Sequence, residues 1–232
     1  MTKSLRAELL IVLTLTFGIS GVRAVLNLIN SLAAPQRLDE QSVTLNSSQS
    51  SLAWVDMGLQ LCSAAVLFSY GALALFLLAK DRFVPRAHRA RDWLEGAGLA
   101  ALIGIPGLAL YVAAVQLGWS KEVIPGDFAN AWVEIPVSLL KAGANAFAEE
   151  TVVVMWLMTR LRQARWSLPA ALAASSILRG SYHLYQGVSA GFGNIIMGLI
   201  YGYYYHRTGR VWPLVIAHFL IDAVAFVGYS FL

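Results

Sequence analysis

One cysteine in 232 residues, Cys62, excludes an internal disulfide and any cysteine-ligated metal site. It stands in an apolar run and reads as a small buried hydrophobe. Charge is scarce as well. Asp, Glu, Lys and Arg make up 13% of the chain, against ~25% in a soluble domain. Apolar residues reach 58%, and the mean hydropathy is +0.62. These shortages exclude an ordinary soluble globular domain. They predict an all-α, polytopic transmembrane helical bundle. No internal repeat is present, which argues against an inverted-repeat transporter. No His-Glu-x-x-His pair occurs, so the common helical zinc signature is missing. Lys3 and Arg6 ahead of Leu9–Ile19 resemble a signal peptide. No small-residue cleavage site follows, however, and apolar residues continue to Leu32, so a retained first helix is expected.

What is present divides into about seven predicted spans. They are Leu9–Leu32, Leu52–Leu78, Trp93–Trp119, Trp132–Leu157, Ser167–Gln186, Phe192–Tyr205 and Trp212–Phe231. Arg23, inside the first, is expected to face the interior or to snorkel. The Ser-rich stretch Ala33–Ser51 reads as a solvated loop, and Leu117–Asn130, with Lys121, Glu122 and Asp127, as a short one. Lys80–Asp92 is the densest basic stretch. It reads as a cytoplasmic loop under the positive-inside rule, not as a nucleic-acid site, with His88 solvated. With the N-terminus cytoplasmic, Lys3, Arg6, Lys80, Arg82, Arg86, Arg89, Arg91, Arg160, Arg162, Arg165, Arg207 and Arg210 all fall inside. Only Arg37 and Lys121 fall outside. The organisation read from this is 1–92, N-terminal helices with the basic loop, followed by a core over 93–232.

Polar residues inside the spans are costly and therefore informative. Glu134, Ser138, Lys141, Asn145 and Glu149 recur at helical spacing and form one stripe, with Glu150 about 100° round from it. Ser176, Arg179, His183 and Gln186 form a second stripe, and His218 and Asp222 lie one turn apart. Tyr201, Tyr204 and Tyr205 read as an interfacial aromatic belt. Carboxylates with histidines are the right chemistry for activating water, or for holding a metal through Glu149, His183 and His218.

Glu149-Glu150, Arg179-Gly180-Ser181-Tyr182-His183 and His218-Phe219-Leu220-Ile221-Asp222 together resemble the three motifs of the CPBP family, the CAAX-processing and bacteriocin-immunity intramembrane endopeptidases. The resemblance covers about Ala142–Ala223 and is to a bacterial branch. It implies a glutamate-dependent intramembrane protease in a bacterial cytoplasmic membrane, acting on peptide or membrane-protein substrates without a cofactor. In that reading Glu149 takes a proton from water, and His183 helps to hold the water. His218 stabilises the oxyanion, while Asp222 orients His218 or completes the polar wall. Glu150 and Asn145 are supporting. Two positions depart from the motifs. Val154 stands where motif one has Arg, and Arg179 stands where motif two has Phe. Arg179 is therefore expected to supply the missing cation, to Glu150 or Asp222. Zinc on Glu149, His183 and His218 is the alternative chemistry. A non-catalytic scaffold or immunity protein is the alternative function, and a proton-coupled transporter a third. Nothing in the sequence sets an oligomeric state.

Overall fold

Apolar runs bounded by Pro, Gly and basic clusters have one low-energy solution in a bilayer, the helix, because it satisfies its own backbone. A computed structural model describes residues 2–124 and 131–227 of this chain. Asp127 and the predicted end of the last span at Phe231 lie outside the described residues. The helices are α1 (Lys3–Leu15), α2 (Phe17–Leu32), α3 (Ala53–Ala79), α4 (Arg91–Gln116) and α5 (Ala131–Glu149). A π-helical segment (Glu150–Trp156) leads into α6 (Leu157–Gln163), followed by α7 (Leu168–His183), α8 (Val188–Thr208) and α9 (Trp212–Phe226). Two three-residue strands, β1 (Ser42–Thr44) and β2 (Glu122–Ile124), pair.

Helices α3 and α4 are each long and apolar enough to cross a membrane. The predicted first span is a bent pair, α1 and α2, meeting at 50°, and counts as a third if taken as one span. The break falls at Thr16, whose backbone leaves the helical region and whose hydroxyl donates to Val12 O at 2.7 Å. The other predicted spans are helices too, but α9 is shorter and apolar. Along α4, Leu102, Ile105 and Leu108 are exposed, an apolar face suited to lipid. Cys62 is also exposed, contrary to the buried reading, because it lies on a face of α3 turned away from the packed side. Arg23 is exposed on α2, which leaves only the snorkelling expectation for it.

The chain forms two compact units. The first comprises Met1–Ser42, Ile105–Glu122 and Val152–Arg210. Its tightest packing is α7 on α8, where a Cβ on Gly198 would come within 2.9 Å of Ser176 Cα, so that only Gly allows this approach. Arg160, read as a loop cation, is instead 3% exposed in α6. Its Nε donates to Glu8 Oε1 at 2.6 Å, and Trp156 Nε1 donates to the same oxygen at 3.0 Å. Removing one partner of a buried pair costs ~3–5 kcal/mol, because the other charge is stranded. Glu8 keeps 22% of its side chain exposed, so Glu8→Ala should cost somewhat less, about 2 kcal/mol, read as earlier thermal unfolding in detergent.

The second unit comprises Val43–Gly104, Val123–Thr151 and Val211–Leu232. Here α5 packs on α3 and on α9. Ala142, Ala144, Ala146 and Ala148 are all fully buried, and such small residues let helices approach closely. Phe147 anchors the packing, with its ring 5.9 Å from Phe68 and 6.5 Å from Trp212.

Candidate active site

The second unit carries the acidic pair. Glu149 ends α5 and Glu150 opens the π segment, where hydrogen bonds run i to i+5 and the register of the helix shifts. The Thr151 hydroxyl donates to Phe147 O at 2.6 Å and so satisfies a carbonyl at this junction. Opposite stands α9, which Pro213 opens with a preset backbone angle. Its spacing puts His218 and Asp222 one turn apart.

Packing α5 and the start of the π segment against α9 brings five of the sequence-derived residues together. Glu150 Oε1 lies 2.7 Å from His218 Nδ1. Donor atoms of Glu149, Glu150 and His218 all fall within 4.8 Å of one another. Asp222 Oδ1 is 3.6 Å from His218 Nε2, a charge contact too long for a hydrogen bond. Asn145 Nδ2 donates to Asp222 Oδ2 at 2.9 Å, which closes the far end of the chain. Glu149 and His218 are 3% exposed, and Glu150 is fully buried. Helical phase alone turns Glu150 away from Glu149. The structure aims both at His218, because the π register begins at Glu150 and glutamate side chains are long.

Such an arrangement fixes the orientation of the ring. As an imidazolium, His218 can give Nδ1–H to Glu150 and Nε2–H to a reacting atom; as a neutral ring it carries one N–H, and which nitrogen holds it sets the direction of the Glu150 contact. The donor types also fit zinc, which accepts carboxylate and imidazole at ~2.0–2.2 Å. Among the described residues, the group able to hold such an ion is Glu149, Glu150 and His218, whose Glu150–His218 bond would have to open.

His183 and Arg179 belong to the first unit. His183 ends α7 half-buried, with its ring 4.9 Å from that of Tyr182, which in turn packs on Phe17. Arg179 is fully buried; its guanidinium sits 5.7 Å from the Tyr201 ring, a cation–π contact, and Nη1 is 4.0 Å from Met197 Sδ. Tyr201, read as an interfacial belt residue, is instead fully buried beneath that cation. Its spacing from Met197, one turn earlier, is the signal that places both on the face toward α7.

Gln60 escaped the sequence reading altogether. It is buried in α3, accepts from Lys141 Nζ at 2.7 Å and donates to Ser47 O at 3.0 Å. Asn46 Nδ2 likewise donates to Ser138 Oγ at 2.8 Å. Two members of the polar stripe thus tie down the Ser-rich loop. An amide inside an otherwise apolar span was the available clue.

No curated protein and no solved structure matches the chain. A family model does, over residues 131–224, which encloses all three motif positions. That segment, from the start of α5 almost to the end of α9, matches the model of the family described as type II CAAX prenyl endopeptidase Rce1-like.

Proposed function

We propose that the chain is an integral membrane endopeptidase that cleaves peptide or membrane-protein substrates with a water activated by Glu149. The observation that carries this reading is the buried Glu149–Glu150–His218 cluster inside the matched segment. Glu149 accepts a proton from water as the water oxygen bonds to the scissile carbonyl carbon. His218 donates to the oxyanion of the tetrahedral intermediate. As the C–N bond breaks, the proton passes from Glu149 to the leaving amine. Glu150 holds His218 through Nδ1, while Asp222, itself held by Asn145, faces Nε2. The part of His183, helping to hold the water, rests on the motif resemblance alone. The test is substrate trapping: membranes carrying Glu149→Gln should accumulate intact chains that wild type converts to new termini. Identical termini in the two would end the proposal.

Zinc is the second reading, favoured by the three clustered donors. Glu149, Glu150 and His218 would hold the ion, and it would supply Lewis-acid polarisation of the scissile carbonyl. Cleavage that persists through exhaustive chelation removes this reading.

The fold we propose for the membrane is seven spans in a bacterial cytoplasmic membrane with the N-terminus inside. The charge distribution supports it: the basic residues alternate correctly at every loop. A reporter fused after Leu232 should then signal from outside, and a cytoplasmic signal there refutes the topology.

A further inference from the structure

The connection between α3 and α4, residues 80–90, joins two helices that are each long and apolar enough to cross a membrane, so it lies at a membrane surface. With the first residue of α4 it holds five cations, Lys80, Arg82, Arg86, Arg89 and Arg91, and all five are exposed. The acids nearby offset little of this charge. Asp92 is buried, and its Oδ2 accepts from the backbone N–H of Arg89 at 2.9 Å. Glu95 pairs with Arg91 at 2.8 Å. Asp81 is the other acid in the stretch. Among the described residues, Lys80, Arg82, Arg86 and Arg89 form no ion pair.

The positive-inside rule accounts for cations in such a connection, but not for the apolar groups set among them. Val84 is 82% exposed between Arg82 and Arg86. Phe76, Trp93 and Leu94 are exposed at the adjoining helix ends. Lys80 Nζ lies 4.8 Å from the Phe76 ring centroid, which couples a cation to a ring at the end of α3. Apolar groups gain free energy at the boundary between headgroups and acyl chains, while Lys and Arg gain it beside lipid phosphates. Aliphatic groups such as Val84 and Leu94 give nothing to a nucleic-acid backbone, whose contacts are ionic and polar. A leaflet of acidic phospholipid satisfies both kinds of group at once.

We infer that residues 80–92 form an anionic-lipid binding surface, which gathers the headgroups of acidic phospholipids around the adjoining ends of α3 and α4. The surface needs only that these two helices cross the membrane, whatever the buried acids do.

The test uses the full chain reconstituted in phosphatidylcholine vesicles that carry a trace of spin-labelled phosphatidylglycerol or spin-labelled phosphatidylcholine. Electron spin resonance reads how strongly each label associates with the protein. Wild type should favour the acidic label about fivefold or more, the factor that one cation beside an acidic surface supplies. In 1 M salt, where the screening length is about 3 Å, the preference should fall toward equality. That arm uses the wild-type chain alone and stands even if a variant fails to fold. Replacing Lys80, Arg82, Arg86 and Arg89 together by Gln should also bring the labels toward equality. A chain of the same net charge, with Lys3, Arg6, Arg165 and Arg207 replaced by Gln, should keep the preference. Equal association of the two labels with wild type, a preference that survives high salt, or an equal loss in the second variant overturns the inference. Inorganic phosphate should displace the acidic label no better than chloride at the same ionic strength, and polyuridylate should not displace it. Selective displacement by phosphate assigns a single phosphate site, displacement by polyuridylate assigns a nucleic-acid surface, and either overturns the lipid assignment.

Discussion

Glu149→Gln is expected to lower peptide-bond cleavage by ~10²–10⁴-fold, the range a general base contributes, while leaving the fold in place. The substitution is nearly isosteric. It keeps a carbonyl oxygen that accepts hydrogen bonds but cannot take a proton from water. Glu149 is 3% exposed at the end of α5, with its donor atom within 4.8 Å of both Glu150 and His218. A neutral amide there removes one carboxylate charge from a crowded buried site, so unfolding in detergent should shift little or upward. Turnover is read from new termini in membranes or from a defined peptide with the purified chain. An unfolding temperature well below wild type would make lost activity uninformative about chemistry. Glu149→Asp then serves instead: it keeps the carboxylate, set back by one methylene, and should retain partial turnover. Full activity in the glutamine variant would leave the binding or scaffold reading in possession of the cluster.

His218→Ala should cost ~10²–10³-fold in turnover, the size expected for one lost oxyanion donor. Its Nδ1 is committed to Glu150 at 2.7 Å, and Nε2 is 3.6 Å from Asp222, too far to be consumed by it. Removing the ring also takes the His218 hydrogen bond from Glu150, which is fully buried, so a stability loss of ~1–3 kcal/mol should accompany the kinetic one. A double-mutant cycle separates the two effects. Glu150→Gln can still accept from Nδ1 and should be the milder variant. The double variant should be no slower than His218→Ala alone, because residues in one network do not act additively. Strict additivity, or wild-type turnover in His218→Ala, contradicts this assignment.

Much of this was legible from residues alone, for physical reasons. Few charges and long apolar runs leave a chain no alternative to helices in lipid, so the all-α character follows from composition. Ionisable groups inside such runs are rare enough that Glu149, Glu150, His218 and Asp222 identify themselves. Their spacing within each helix is a local property that 3.6 residues per turn dictates. Residues 131–224 match a family model for the same reason: the motif positions are local signals in the sequence.

Contacts between helices were not legible, because they depend on which faces meet. The tertiary structure decided that His218 meets Glu150, 68 residues away, by packing α5 against α9 at the point where a π register begins. Sequence phase assumes ~100° per residue and cannot anticipate that change. Likewise, Arg160 looked like one more inside-loop cation until Glu8, 152 residues distant, was found holding it. Tyr201 looked like a belt residue until α7 laid Arg179 across it. Composition and period determined which elements form and which residues are too costly to be idle. Only packing decided which of those residues share a proton.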